Sequence, residues 1–144
     1  MIIKLENPNS KWLDIFFEHD DFKLDFVSSS IPNDPISDLI SSLTLICQNV
    51  SSEMCWNCEP GLYFFQFEKF ENLYKFSIFK KDESKELMYS VLGNFDQIIL
   101  PFFRAIKKLY SLKFKESDWP MIENNKIEKL ETAVKSNRTS PNPR

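Results

Sequence analysis

At 144 residues, with 42% hydrophobic and 27% charged side chains, the chain is the size of one domain and can bury a core without disulfide or metal staples. Fourteen Phe supply large buried areas, while only two Gly argue against a phosphate-cradling loop and so against a nucleotide-binding fold. The formal charge of −3 conceals a dipole: residues 1–62 hold ten acidic and three basic side chains, a net of −7, and residues 63–144 hold eleven and fifteen, a net of +4.

The N-terminal third reads as strands. Ile3 and Leu5 alternate with polar neighbours. Within WLDIFFEH, Leu13, Ile15 and Phe17 point one way, and Trp12, Asp14, Phe16 and Glu18 the other. After a turn at His19-Asp20-Asp21, Phe22, Leu24 and Phe26 alternate with Lys23, Asp25 and Val27. A helix follows. Asn33 and Asp34 are placed to cap it, Pro35 suits its first turn, and Ile36, Leu39, Ile40, Leu43 and Cys47 form one apolar face that ends near Asn49.

A meander comes next. Met54 to Cys58 reads as a short strand, and Glu59-Pro60-Gly61-Leu62 has the Pro and Gly positions of a type II turn. Tyr63, Phe65 and Phe67 alternate along one strand, Tyr74, Phe76 and Ile78 along another, and Leu87, Tyr89 and Val91 after a charged hairpin turn. From Asn94 the period becomes helical. Ile98, Ile99, Phe102, Phe103, Ile106, Leu109 and Tyr110 form a stripe over 95–114, and Pro101 should shift the start or bend the first turn. A short helix is predicted over about 123–135 with Ile127, Leu130 and Val134 as its stripe. The apolar-free ending predicts a disordered tail over 137–144, leaving 1–136 as one domain. The expected fold class is α+β: a single antiparallel β-sheet of about six strands packed against two main α-helices plus a short C-terminal helix.

Three constellations invite chemistry. Cys55-Trp-Asn-Cys58 offers two of the four ligands zinc needs, with Cys47 assigned to a buried helix stripe and His19 the sole His. Its place in a predicted strand, not at a helix N-terminus, also disfavours redox work, so ordinary strand cysteines are the favoured reading. His19 beside Asp20 and Asp21 suggests a base and its orienter, but no nucleophile elbow accompanies them, and a solvated hairpin turn accounts for all three. The basic residues Arg104, Lys107, Lys108, Lys113 and Lys115 fit the wet face of a helix better than a nucleic-acid site, in keeping with a pI near 5.3. No cofactor or metal is expected.

The carboxylates of the N-terminal hairpins are a different matter. Asp14 and Glu18 share a strand face with Trp12 and Phe16, and Asp25 lies on the next strand, with Asp20 and Asp21 between. An acidic sheet face interleaved with aromatic anchors is the composition of a docking surface for a basic protein. These seven residues form the expected partner-binding set; a solvated outer sheet face is the competing reading.

The stretch PISDLISSLTLI, a short gap, then W-x-x-EPG-x-Y-x-F, a paired strand and an amphipathic helix resembles small bacterial immunity proteins encoded beside contact-dependent growth-inhibition toxins. Pro35, Asp38, Leu39, Leu43, Trp56, Glu59, Pro60, Gly61, Tyr63 and Phe65 carry the resemblance, which covers 35 to roughly 110. It implies a non-enzymatic protein that binds the C-terminal toxin domain of a cognate effector, often a nuclease with a basic cleft, and blocks it. The acidic N-terminal segment would then stand in for phosphates. The absence of a ~20-residue apolar run, an opening MIIKLENPNSK unlike a signal peptide, and an odd number of Cys point to the cytoplasm, with neither membrane nor nucleic acid as partner. A small-ligand-binding or regulatory module with a pocket between sheet and helices is the alternative, and a metal-dependent hydrolase using the acidic cluster a third reading.

Overall fold

The structure, a computed structural model, describes residues 1–58 and 61–139. Three strands come first: β1 (Ile2–Asn9), β2 (Trp12–His19) and β3 (Phe22–Ser29). Helix α1 (Pro35–Cys47) leads to a meander of β4 (Ser52–Trp56), β5 (Leu62–Phe70), β6 (Leu73–Lys81) and β7 (Lys85–Gly93). The chain then turns helical through α2 (Phe95–Ile98), α3 (Leu100–Ser111) and α4 (Asn124–Thr139).

The α+β class stands, but the strands form two antiparallel sheets, β1-β2-β3 and β4-β5-β6-β7, in place of the single sheet of about six expected. Seven strands are present among the described residues. The reason lies in the inward side chains of β2 and β3. Phe17 meets Phe76 of β6 with ring centroids 5.4 Å apart, Phe22 stacks on Tyr89 of β7 at 4.4 Å, and Phe26 stacks on Tyr63 of β5 at 4.4 Å. Strand β3 therefore crosses the other sheet face to face, from β7 toward β4. Only at its end does it pair, where the Ser29 N–H donates to the Asn57 carbonyl at 2.8 Å in a single antiparallel bridge.

The rest of the inner face of the four-stranded sheet is covered by helices. Phe102 of α3 sits among Phe65, Phe67 and Phe76 at centroid distances of 6.0, 5.0 and 4.8 Å. Helix α1 packs on β4 and β5, and α4 closes over α1. Asn137 ties this layer together: its amide donates to the Cys47 carbonyl, and its Oδ1 accepts from the Tyr74 hydroxyl at 3.1 Å. Among the described residues, Trp56 Nε1 is the one buried side-chain polar atom without a hydrogen bond.

Local signals explain most boundaries. The helix expected over 95–114 is broken at Ile99, which ends α2 and starts α3, because Pro101 in the first turn cannot donate back into a continuous helix. Helix α2 opens with a capping box in which Asn94 Oδ1 accepts from the Gln97 N–H and Gln97 Oε1 from the Asn94 N–H. A Cβ on Gly93 would stand 2.9 Å from that Gln97 oxygen, so the box needs glycine there. The meander keeps its alternation except at Met88. A bulge between the Ile78–Tyr89 and Phe79–Leu87 pairs turns Leu87 outward, opposite to the face expected from Tyr89 and Val91. Helix α4 runs to Thr139, beyond the end expected near 135 and into the stretch assigned to the tail. The turn expected at 59–62 includes Glu59 and Pro60, and the end of the tail is 140–144; both lie outside the described residues.

Asp34 joins two distant parts of the chain. Its carboxylate accepts from the Ile36 N–H at 2.9 Å as the N-cap of α1, and from Trp119 Nε1–H at 3.1 Å, where Trp119 is fully buried. Burial raises the Asp34 carboxyl above its usual 3.8, opposed by these accepted bonds. A carboxyl raised in the folded state contributes stability below its unfolded value and loses it as pH climbs through its folded one. Asp34→Asn, which keeps both acceptor bonds without the charge, is therefore expected to match or exceed the parent in urea midpoint at pH 7, with the gap closing toward pH 3. Asp34→Ala should lose about 1–2 kcal/mol. Equal losses in the two variants at pH 7 would contradict this account.

Candidate functional site

Because β2 is the middle strand, its pairings set the outer face of the three-stranded sheet. Lys4, Phe16 and Asp25 form one cross-strand row; Glu6, Asp14 and Val27 form the next; Ile2, Glu18 and Lys23 form a third. Trp12 lies between Asn9 and Ser29 at one end. The opposite faces of the same strands carry Leu5, Leu13, Ile15 and Phe17, all buried. Burying that face leaves the other in water, as period-two geometry requires.

Five of the seven residues expected to bind a partner thus share one open face: Trp12, Asp14, Phe16, Glu18 and Asp25. Asp20 and Asp21 are exposed in the β2–β3 turn, at the edge of that face and not on it. Sequence reasoning passed over Glu6, Val27 and Ile31. Glu6 was readable from the alternation of β1, and Val27, 46% exposed, from that of β3. Ile31, 66% exposed, lies in the loop after β3, where no periodicity applies.

The acidic centre is unbalanced. Glu6 and Asp14 stand directly opposite, an unfavourable arrangement for two like charges. Asn7 offsets part of it: a bulge in β1 with φ of 54° at Asn7 lets its amide donate to Asp14 Oδ2 at 3.1 Å. Glu18 is paired with Lys23 at 3.4 Å, and Lys4 Nζ lies 5.6 Å from the Phe16 ring centroid. A groove of about 450 Å³ runs over this region, bordered by Lys4, Glu6, Asp14, Phe16, Asp25 and Val27. A second groove of about 460 Å³ adjoins Trp12 and takes in Ile31 and Pro32. The strand end there is held in place: the Lys11 N–H donates to the Asp118 carbonyl at 2.7 Å, and the Ser10 N–H to Asp118 Oδ1 at 3.1 Å. The face thus joins an apolar end to an acidic centre on a braced sheet.

The chemical alternatives find little geometry. No group of three or more His, Cys, Asp or Glu among the described residues is arranged to hold a metal ion. His19 is not a solvated turn residue. Its Nδ1 shares a hydrogen bond with the Tyr89 hydroxyl, so the imidazole closes the crossing of the two sheets. Cys55 lies half-buried on the outer face of β4, whereas Cys58 is buried beyond the strand end and Cys47 under α4. An apolar cleft of about 490 Å³ lies between the end of α3 and the 113–124 segment, with the Tyr110–Asn124 hydrogen bond of 2.7 Å in its lining.

Burial pushes the Cys47 and Cys58 thiols up to about 12, and burial also raises Cys55. Iodoacetamide at pH 8 is accordingly expected to add at most one group to the native protein within an hour, at Cys55, and three after denaturation. Rapid native labelling of Cys58 in peptide mapping would contradict the burial argument. Among the described residues, no helix is long and apolar enough to cross a membrane. Comparison with protein-family models, with curated proteins and with solved structures gives no match.

Proposed function

We propose that this chain is a non-enzymatic binding protein whose β1-β2-β3 outer face docks a basic protein partner, in the manner of an immunity protein that neutralises a cognate toxin domain in the cytoplasm. One observation carries the reading: Glu6, Asp14, Glu18 and Asp25 share an open sheet face with Trp12, Phe16 and Val27, while Leu5, Leu13, Ile15 and Phe17 on the opposite face are buried. Aromatic and aliphatic groups supply contact area, and the carboxylates supply attraction and selectivity.

A nuclease toxin fits this surface chemically. Its substrate cleft must carry cations for phosphates, and a rigid acidic face can occupy such a cleft. The resemblance over 35 to roughly 110 points to the same class. Inhibition would be stoichiometric and by occlusion, with no cofactor and no covalent step. A small-ligand module is the second reading: the apolar cleft beside α3, lined by Phe114, Met121 and Ile122 with Tyr110, Glu116 and Asn124 at its polar side, is where such a ligand would sit.

The test uses the C-terminal domain of the large effector that this reading expects to be encoded next to this chain. Asp14→Lys with Asp25→Lys is expected to slow association at least about tenfold at 50 mM salt, with the difference shrinking near 0.5 M. Folding should change by no more than about 0.5 kcal/mol, since both side chains are exposed. An unchanged association rate, or an unfolded double variant, would overturn the assignment of this face.

A further inference from the structure

The four outer edges of the two sheets are not equivalent. Strand β1 lies against α3, carries a bulge at Asn7 and has Pro8, which lacks an N–H. Strand β4 lies against α1. Strand β7 is bulged at Met88 and begins with Lys85 and Glu86, devices that discourage strand addition. Strand β3 carries charge at Lys23 and Asp25 but shares none of the other devices. It pairs with β2 at eight consecutive positions without a bulge and contains no Pro, and among the described residues no helix or strand packs extensively along its far side.

Its free groups follow from the hairpin. A two-residue turn closes on the His19–Phe22 pair, so Phe22, Leu24, Phe26 and Ser28 direct their N–H and C=O toward β2. Lys23, Asp25, Val27 and Ser29 direct theirs outward. Ser29 bears this parity out, since its N–H goes to Asn57. The backbone groups of Lys23, Asp25 and Val27 have no protein partner among the described residues. Phe22, Leu24 and Phe26, on the inner face of the same strand, are only half-buried, unlike Leu13, Ile15 and Phe17 of β2.

We propose that β3 is the strand on which the partner builds: an extended segment of the partner adds a fourth strand at Lys23–Val27, continuing the ladder that the Ser29–Asn57 bridge begins. This rests on the reading that the adjoining face meets a basic protein. Charge selects the segment. Its outward position beside Asp25 takes Lys or Arg, since Lys23 is already held by Glu18, and the aliphatic stem of a second Lys covers Val27. Its inward positions cover Leu24 and Phe26 with apolar groups. Main-chain bonds supply affinity and the alternating side chains supply selectivity.

The test is amide hydrogen exchange by NMR on the full chain with a blocked eight-residue peptide alternating valine and lysine. The expected result is at least about tenfold slower exchange at Lys23, Asp25 and Val27, with Leu24 and Phe26, already bonded to β2, little changed. A valine–glutamate peptide should give no protection. Equal protection by both peptides, or protection at β7 and not β3, overturns the proposal. If β3 is protected but the effector domain does not bind, the edge assignment stands and the toxin reading fails. If Asp14 and Asp25 reversal weakens effector binding yet the peptide leaves β3 unprotected, the toxin reading stands and the edge assignment fails.

Discussion

Phe17, on the middle strand of the three-stranded sheet, meets Phe76 and Tyr89 of the other sheet, while Phe22 and Phe26 stack on Tyr89 and Tyr63 to either side. The rest of the molecule depends on this crossing. Stacked and edge-on ring pairs hold two sheets together without requiring a shared hydrogen-bond ladder, and each pair adds about 0.5–1.5 kcal/mol beyond the area it buries. The ladder between the sheets is accordingly reduced to one bridge, and His19 closes the far end of the crossing through Tyr89.

Two consequences follow for the site. Committing Leu13, Ile15 and Phe17 to the crossing commits Trp12, Asp14, Phe16 and Glu18 to water, because neighbours in a strand face opposite ways. The crossing also sets β3 across the other sheet, so that among the described residues its only backbone pairing with the β4 side is at its last residue. The helices complete the core from the other end of the four-stranded sheet, with Phe102 against Phe65, Phe67 and Phe76. The acidic face is therefore the far side of a braced layer, held at its β1–β2 turn by Asp118. Such a surface can meet a partner without paying much ordering entropy.

How far this was legible in the sequence depended on the kind of signal. Alternation in 12–18 assigned faces correctly because one face is wholly buried, and Asp34-Pro35 marked the start of α1 by cap chemistry. Alternation says which residues share a face but not which sheet they face, so two sheets were read as one. Phe recurs on both sides of β5 and β6, with Phe64 and Phe79 outward and Phe65 and Phe76 inward, and composition alone does not separate them. The bulge at Met88 reversed Leu87 without any Gly or Pro to announce it. His19 looked like a turn residue because its partner Tyr89 is seventy positions away. The acidic face was legible in its carboxylates and its aromatics; its apolar end at Ile31 was not, since a loop carries no period.

The central claim is that the outer face of β1-β2-β3 is the surface a protein partner covers. Hydrogen exchange with mass spectrometry on the chain mixed with the proposed toxin domain tests it most directly, since it maps the contact without altering a residue. The account predicts slowed exchange confined to peptides from residues 2–32, with α3, α4 and the outer face of the four-stranded sheet unchanged. Protection centred on α3 and α4, or no complex at 50 mM salt, would contradict it.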